Sequence, residues 1–316
     1  MLVDESIARD LLRLIIWFPF RWVIKLLPIA WGFASFRLLG KIHYILFPDK
    51  NCLLTENLRL AFGKALQKDR LKEIIVKYYE NHYVDRLQIF LFPRFSKGNI
   101  DKFHTFEGLD NLEGALIKRK GCILIHAHVG PTQLPLCVLG VQGYSVMQIG
   151  LPSDEGLTWI GKHVAFRLRQ KYEAQIKASI IPAKSFLRPV FEQLKHNGII
   201  MITGDGAGGI SPIGKYARFP FLNHQLPFPL GAISLAQRTG APLLPLFTVI
   251  GKDKSYRTII ENPLLIDYRS LKNEQSLIAS MNIFVKKLET YVSAYPYLWH
   301  FWDEFASRNS MNYERR

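Results

Sequence analysis

His126 and His128 stand two residues apart at the end of the apolar run GCILIHAHVG, where Gly130 and Pro131 make a turn. A short apolar run bounded by glycines reads as a buried strand of a mostly parallel sheet. Open α/β sheets place their sites beyond the carboxyl ends of such strands, so a histidine leaving into a Gly-Pro turn is accessible to substrate. Gln133 follows His128 by five residues, on the first turn of an expected helix, where a polar side chain can reach back to the imidazole. A base held by an orienting partner is the arrangement needed to deprotonate a hydroxyl. With period-2 alternation His126 and His128 share a face, so either could be that base, and either could equally be a satisfied core residue. No Asp, Glu or Cys nearby offers a third ligand to the His-x-His pair, so no metal is expected.

A second cluster, GDGAGG at 204–209, follows the apolar strand GIIMIT. It formally satisfies G-x-G-x-x-G, but Ser211-Pro212-Ile213-Gly214 continues it as a loop. A dinucleotide fingerprint needs a helix to open there, so no nucleotide redox cofactor is expected. The better reading is a loop at a strand end, with Asp205 near the same pocket. The alternative is a turn aspartate capping its own backbone. Gly130, Gly204 and Gly206 are candidate positions for close approach to substrate. Residues 161–218 hold ten Lys or Arg and three acids. Most of these are a solvated face by default. Arg167 and Arg169 end a mostly apolar helix, where they could bind phosphate.

The elements that must position these groups change character near residue 100. Before it everything reads as helix. Residues 50–65 form a short helix entered at Thr55, and residues 67–92 a longer one stopped by Pro93. After it, strands expected at 103–108, within 121–130, and at 145–149, 175–181, 198–203 and 242–250 alternate with helices at 109–118, 134–139, 158–172, 184–196, 230–238 and 274–291. That alternation argues for an α/β fold, a mostly parallel central sheet flanked by helices and preceded by an all-helical N-terminal region.

The 316 residues are 48% hydrophobic and 21% charged, enough for a sizeable core and unlike a disordered chain. A net charge of +15 asks for an anionic partner. Cys52, Cys122 and Cys137 are an odd number without C-x-x-C spacing, which suits a reducing compartment. Residues 11–47 identify the partner as a membrane surface rather than nucleic acid. They are dense in Leu, Ile, Trp and Phe, yet Arg13, Arg21, Lys25 and Arg37 interrupt them and Pro19 and Pro28 punctuate them. The longest uncharged run, 26–36, is too short for the ~20 apolar residues of a spanning helix. Basic residues on a narrow arc of an otherwise aromatic and apolar helix suit the membrane interface. A buried helical hairpin is the competing reading. Asp4, Glu5 and Asp10 spoil the basic start of a signal peptide.

Four segments, in order, resemble the bacterial lipid A biosynthesis (lauroyl/myristoyl) acyltransferases, within the lysophospholipid/glycerolipid acyltransferase group. They are ENLRLAF at 56–62, FEGLDNLEGALIKRKGCILIHAHVG at 106–130, FPFLNHQLPFPLGAISLAQRTGAPLLPLF at 219–247 and YPYLWHFWDEF at 295–305. The resemblance implies a catalytic His followed after four residues by Asp or Glu, which falls on His128 and Gln133. His128 would be the general base, Arg169 (or Arg167) the family's basic residue, and Asp205 the aspartate of its third block. Gln133 departs from the pattern: an amide can fix the imidazole tautomer but supplies no charge. The chain would then be an enzyme that is slower or uses a more reactive donor, an enzyme in which Asp205 supplies the charge, or a catalytically silent lipid-binding protein on the same fold.

The expected activity is transfer of a fatty acyl group from acyl carrier protein or acyl-CoA to a hydroxyl of a glycolipid or lysophospholipid. Its expected place is the cytoplasmic face of the bacterial inner membrane. Residues 1–48 would form the anchoring segment and 49–316 the acyltransferase domain. The apolar run 226–230 would suit an acyl-chain slot or ordinary core.

Overall fold

Helices come first because the N-terminal third carries helical periodicity and no strand signal. A computed structural model of the chain describes residues 7–63, 66–150, 154, 156–182, 187–206, 214–266 and 274–310. The helices are α1 (Ile7–Ile15), α2 (Arg21–Leu26), α3 (Ile29–Leu46), α4 (Pro48–Phe62) and α5 (Lys68–Leu87). A π-helical turn, Ile16–Phe20, joins α1 to α2 and contains Pro19, whose missing N–H breaks the α-helical ladder. α4 starts at Pro48 rather than at Thr55, because a proline is preorganised for the first helical position. α5 ends at Leu87, and short 3₁₀ turns carry the chain through Pro93. α3 crosses α5 closely: a Cβ at Gly40 would lie 2.6 Å from the backbone of Tyr79.

The alternating half contains β1 (His104–Glu107), α6 (Leu109–Ile117), β2 (Cys122–His126), α7 (Leu134–Gln142), β3 (Val146–Ile149), α8 (Arg167–Glu173) and β4 (Ser179–Ile181). It continues with α9 (Arg188–Lys195), β5 (Ile199–Thr203), β6 (Tyr216–Phe221), β7 (His224–Pro229), α10 (Gly231–Thr239), β8 (Leu243–Ile250), β9 (Tyr256–Ile260), α11 (Glu274–Ala294) and α12 (Phe305–Ser310). The main sheet has the order β1-β9-β8-β2-β5-β3-β4. Every neighbouring pair is parallel except β8–β9, so the mostly parallel α/β sheet read from the sequence is present.

Sequence reasoning missed β9 and the β6–β7 hairpin. Pro220, Pro227 and Pro229 disguise the hairpin, and a two-stranded ribbon tolerates them because both its strands are edges. Its turn, Leu222-Asn223, has positive φ at both residues, the twist-matched hairpin geometry.

β2 is buried throughout and divides its side chains between two cores. Ile123 and Ile125 join the hairpin, α10, α11 and the C-terminal aromatics. Cys122 and Leu124 join α7 and the N-terminal helices, through Trp17, Ile24, Phe33 and Phe36. The outer sides of those helices leave Trp22, Leu26, Trp31 and Ile45 exposed. Among the described residues no helix is long and apolar enough to cross a membrane.

Candidate active site

The register of β2 on β5 pairs His126 with Thr203. His128 and Asp205 each lie two residues past that pair, at the carboxyl edge of the sheet, and they meet. His128 Nδ1 is 2.8 Å from Asp205 Oδ1, and the His128 backbone N–H donates to Asp205 Oδ2 at 2.8 Å. Trp299 Nε1 donates to the same Oδ2 at 3.2 Å. Asp205 is fully buried. Burial alone would raise its pKa, but the facing His128 charge, both His128 hydrogen bonds and Arg308 outweigh it and hold the carboxyl below the usual range. An ionised carboxylate only accepts, so Nδ1 of His128 carries the proton. Nε2 is left as the basic nitrogen, on a side chain 25% exposed.

His126 sits differently. It is buried, and loss of solvation pulls its pKa down to about 4, so it is a neutral core residue. The two histidines that spacing could not separate are thus separated by burial and by the carboxylate.

The backbone around His128 is fixed by the C-terminal segment. His300 N–H donates to the His128 carbonyl at 2.9 Å, and Gly130 N–H donates to the Leu298 carbonyl at 2.9 Å. The Phe301 ring lies 4.6 Å from the imidazole. Arg308 stacks 3.7 Å above Phe301 and donates through Nη1 to the Asp205 carbonyl at 2.8 Å. From α5, Asp85 accepts from the Thr132 N–H and hydroxyl at 2.7 and 3.0 Å. Gly130 has φ of 65° and its missing Cβ would meet the Thr248 carbonyl at 2.6 Å. Its role visible here is to let the loop turn.

Gln133 does not bond to the imidazole. It precedes α7, and its Nε2 donates to Glu173 Oε1 at 3.1 Å. Arg169 Nε donates to the same oxygen at 2.9 Å, and Glu173 is buried. Arg167, one position before Leu168, is exposed. Gly204 has no room for a side chain: a Cβ would meet Phe284 at 2.5 Å and Ile125 at 2.7 Å. Gly206 is buried and has φ of 93°. The remainder of the glycine cluster, residues 207–213, lies outside the described residues.

The site contains residues that spacing did not flag: Asp85, Glu173, Trp299, His300 and Arg308. The aromatic motif at 295–305 was visible as a motif, but its role as a brace for the His128 loop was not. Asp85 carries no signal at all, being one charged residue among many on α5.

The model of a protein family described as bacterial lipid A biosynthesis acyltransferase matches residues 6–303. No curated protein matches the chain.

Proposed function

The chain belongs to the bacterial lipid A biosynthesis acyltransferases, an enzyme family that transfers acyl groups to a lipid acceptor, and from that premise we propose a mechanism centred on His128 and Asp205. The observation that carries it is the 2.8 Å contact of His128 Nδ1 with Oδ1 of the fully buried Asp205. Asp205 fixes the tautomer and balances the imidazolium. Nε2 of His128 takes the proton of an acceptor hydroxyl. The alkoxide oxygen attacks the acyl thioester carbonyl, the C–S bond breaks, and the imidazolium returns its proton to the leaving thiolate. The lipid gains an ester and the donor leaves as a free thiol.

In this reading Asp205 supplies the charge that Gln133 lacks, which favours an active enzyme over a silent lipid-binding protein. Gln133 keeps Glu173 and Arg169 in register beside the site. Arg169, with one donor spent on Glu173, and the exposed Arg167 serve an anionic part of a substrate. Gly130, Gly204 and Gly206 shape the backbone around it. The donor is acyl carrier protein or coenzyme A carrying the thioester, both acidic and both suited to a +15 chain. The acceptor is a glycolipid of the lipid A type or a lysophospholipid.

The enzyme works at the cytoplasmic face of the bacterial inner membrane, with residues 1–48 as the anchoring segment of an acyltransferase domain at 49–316. Exposed Trp22, Leu26, Trp31 and Ile45 on α2 and α3 support an in-plane seat in the interface. The test is lipid extraction and mass spectrometry from cells carrying wild type, His128→Ala or vector. A lipid gaining one acyl unit only with wild type is expected. Identical spectra from all three, with equal expression, would refute the mechanism.

A further inference from the structure

A cavity of about 490 Å³ lies between α3 and the turn that joins β8 to β9. β8 runs parallel to β2 and extends past it, so this turn leaves the sheet at the same edge as the His128 loop. β9 is two strands from β2, about 10 Å away. The cavity therefore lies at the same edge of the sheet as the active site without sharing its residues.

Its floor is aromatic, from Phe33, Phe103 and Tyr256, and its rim carries Arg37, Lys102 and Lys254. Arg37 donates to the Lys254 carbonyl at 3.1 Å, tying the helix to the turn. Lys254 itself has φ of 65°, a conformation unfavourable for a non-glycine residue that here sets a lysine on the rim. Two acids line the same cavity. Glu80 is taken by Lys41 at 3.3 Å, and Asp253 accepts from the Ser255 N–H and hydroxyl at 3.1 and 2.8 Å. Among the described residues, Lys102 and Lys254 have no ion-pair partner. The cavity keeps a surplus of positive charge over an apolar floor.

We propose that this cavity binds the phosphate headgroup of an anionic membrane phospholipid, a second lipid site apart from the catalytic one. The inference rests on the proposed interfacial seat of α2 and α3. The outward face of α3 exposes Trp31, Leu38 and Ile45, and Leu38 also lines the cavity. A lipid with its phosphate among Arg37, Lys102 and Lys254 would lay its chains along that face. Basic pockets beside membrane helices bind anionic headgroups in this way. A concave site with an aromatic floor suits one lipid headgroup better than the surface of an acidic carrier protein. The bound lipid would hold α3 against that same edge of the sheet.

The test uses the full chain in neutral detergent micelles, which supply the apolar surround without a bilayer. Native mass spectrometry reads retention of dioleoyl phosphatidylglycerol against dioleoyl phosphatidylcholine. Wild type should retain the anionic lipid preferentially. Lys102→Ala/Lys254→Ala should weaken that retention by about thirtyfold, from two basic contacts to anionic lipid. Lys118→Ala/Lys120→Ala, at the opposite edge of the sheet, should leave it unchanged. Equal retention of the two lipids, or a rim variant that behaves as wild type, would overturn the proposal. Displacement by equimolar glycerol 3-phosphate would reassign the site to a soluble phosphate ester. If the rim variant lost binding of an acidic carrier protein and kept the lipid, the site would be a protein dock instead. Flotation with phosphatidylcholine vesicles tests the interfacial seat separately, and its failure would leave the micelle readout standing.

Discussion

Replacing Asp205 by Asn changes one charge and almost no volume, at a residue fully buried from solvent. In the proposed mechanism the imidazolium formed during proton transfer faces this carboxylate at a hydrogen-bond distance of 2.8 Å. For charge centres ~4 Å apart at an effective dielectric of ~20, the attraction is about 4 kcal/mol. Losing it from the transition state slows the reaction about a thousandfold. The hydrogen bonds sharpen the expectation. Oδ2 accepts both the His128 N–H and Trp299 Nε1–H, two donors that an amide nitrogen cannot satisfy. The amide oxygen must therefore take that position, which turns the amide N–H₂ toward Nδ1. The imidazole proton then moves to Nε2, and the base loses its lone pair. The two effects together reach the ~10⁴ seen when a serine protease triad loses its aspartate charge with geometry kept. The assay is single-turnover transfer to extracted membrane lipid, followed by mass spectrometry, with thermal melting as the fold control. A drop of 10³ or more in kcat with a melting temperature near wild type is expected. Activity within tenfold of wild type in a folded Asp205→Asn protein would refute the pairing of His128 with Asp205 as the catalytic unit.

Three further outcomes follow from the same geometry. Gln133→Glu should lower the melting temperature and give no gain in rate, because a second carboxylate would face buried Glu173 with only Arg169 between them; Gln133→Glu/Glu173→Gln should recover most of the loss. Gly204→Ala should cost about 1–3 kcal/mol in urea denaturation and reduce activity as well, since its Cβ meets Phe284 and Ile125 and the strain is passed to the adjacent Asp205. Burial pulls His104 and His126 down to about 3 and about 4, from ~6.5 in the unfolded chain. Between those values the unfolded chain binds more protons, so stability is complete above pH ~6.5 and falls on acidification, by up to ~1.4 kcal/mol per pH unit for each histidine. The depressed Asp205 carboxyl keeps its contribution through this window and loses it only below the ordinary carboxylate range. Urea midpoints from pH 7 to 4.5 check the sign, and a flat profile would contradict it.

The parts of the fold written locally were legible. Strand β2, its glycine borders, helix α11 and the helical N-terminal third all follow from periodicity and punctuation, and the structure has them. Where prolines serve an edge ribbon, as in β6 and β7, the same rules hid the strands. Arg169 is legible in the sequence as a cation that could meet phosphate. Its tie to Glu173 could have been suspected, since the two are four apart on one helix. The third member, Gln133, lies just before α7, 40 residues ahead of Glu173, and could not have been.

His128 and Asp205 show why a site can be half readable. Each was visible alone, as a polar residue just past an apolar strand. Their union depends on β5 lying directly beside β2, although β3 and β4 intervene in the chain. Strand order is a property of how crossovers pack, and no residue spacing records it. Once that order is given, the register does the rest: His126 faces Thr203, so the residues two beyond each must face one another. A partner five residues on from the histidine reaches it from the following helix, whereas a partner on the next strand reaches it across the sheet edge. The second route fixes both the imidazole and its own backbone N–H with one buried carboxylate; Trp299 holds that carboxylate in turn, and Arg308 holds the Asp205 backbone carbonyl. Position 133 is thereby released from facing the base. An amide there is consistent with the role proposed for His128, because the carboxylate that meets its imidazole comes from the neighbouring strand.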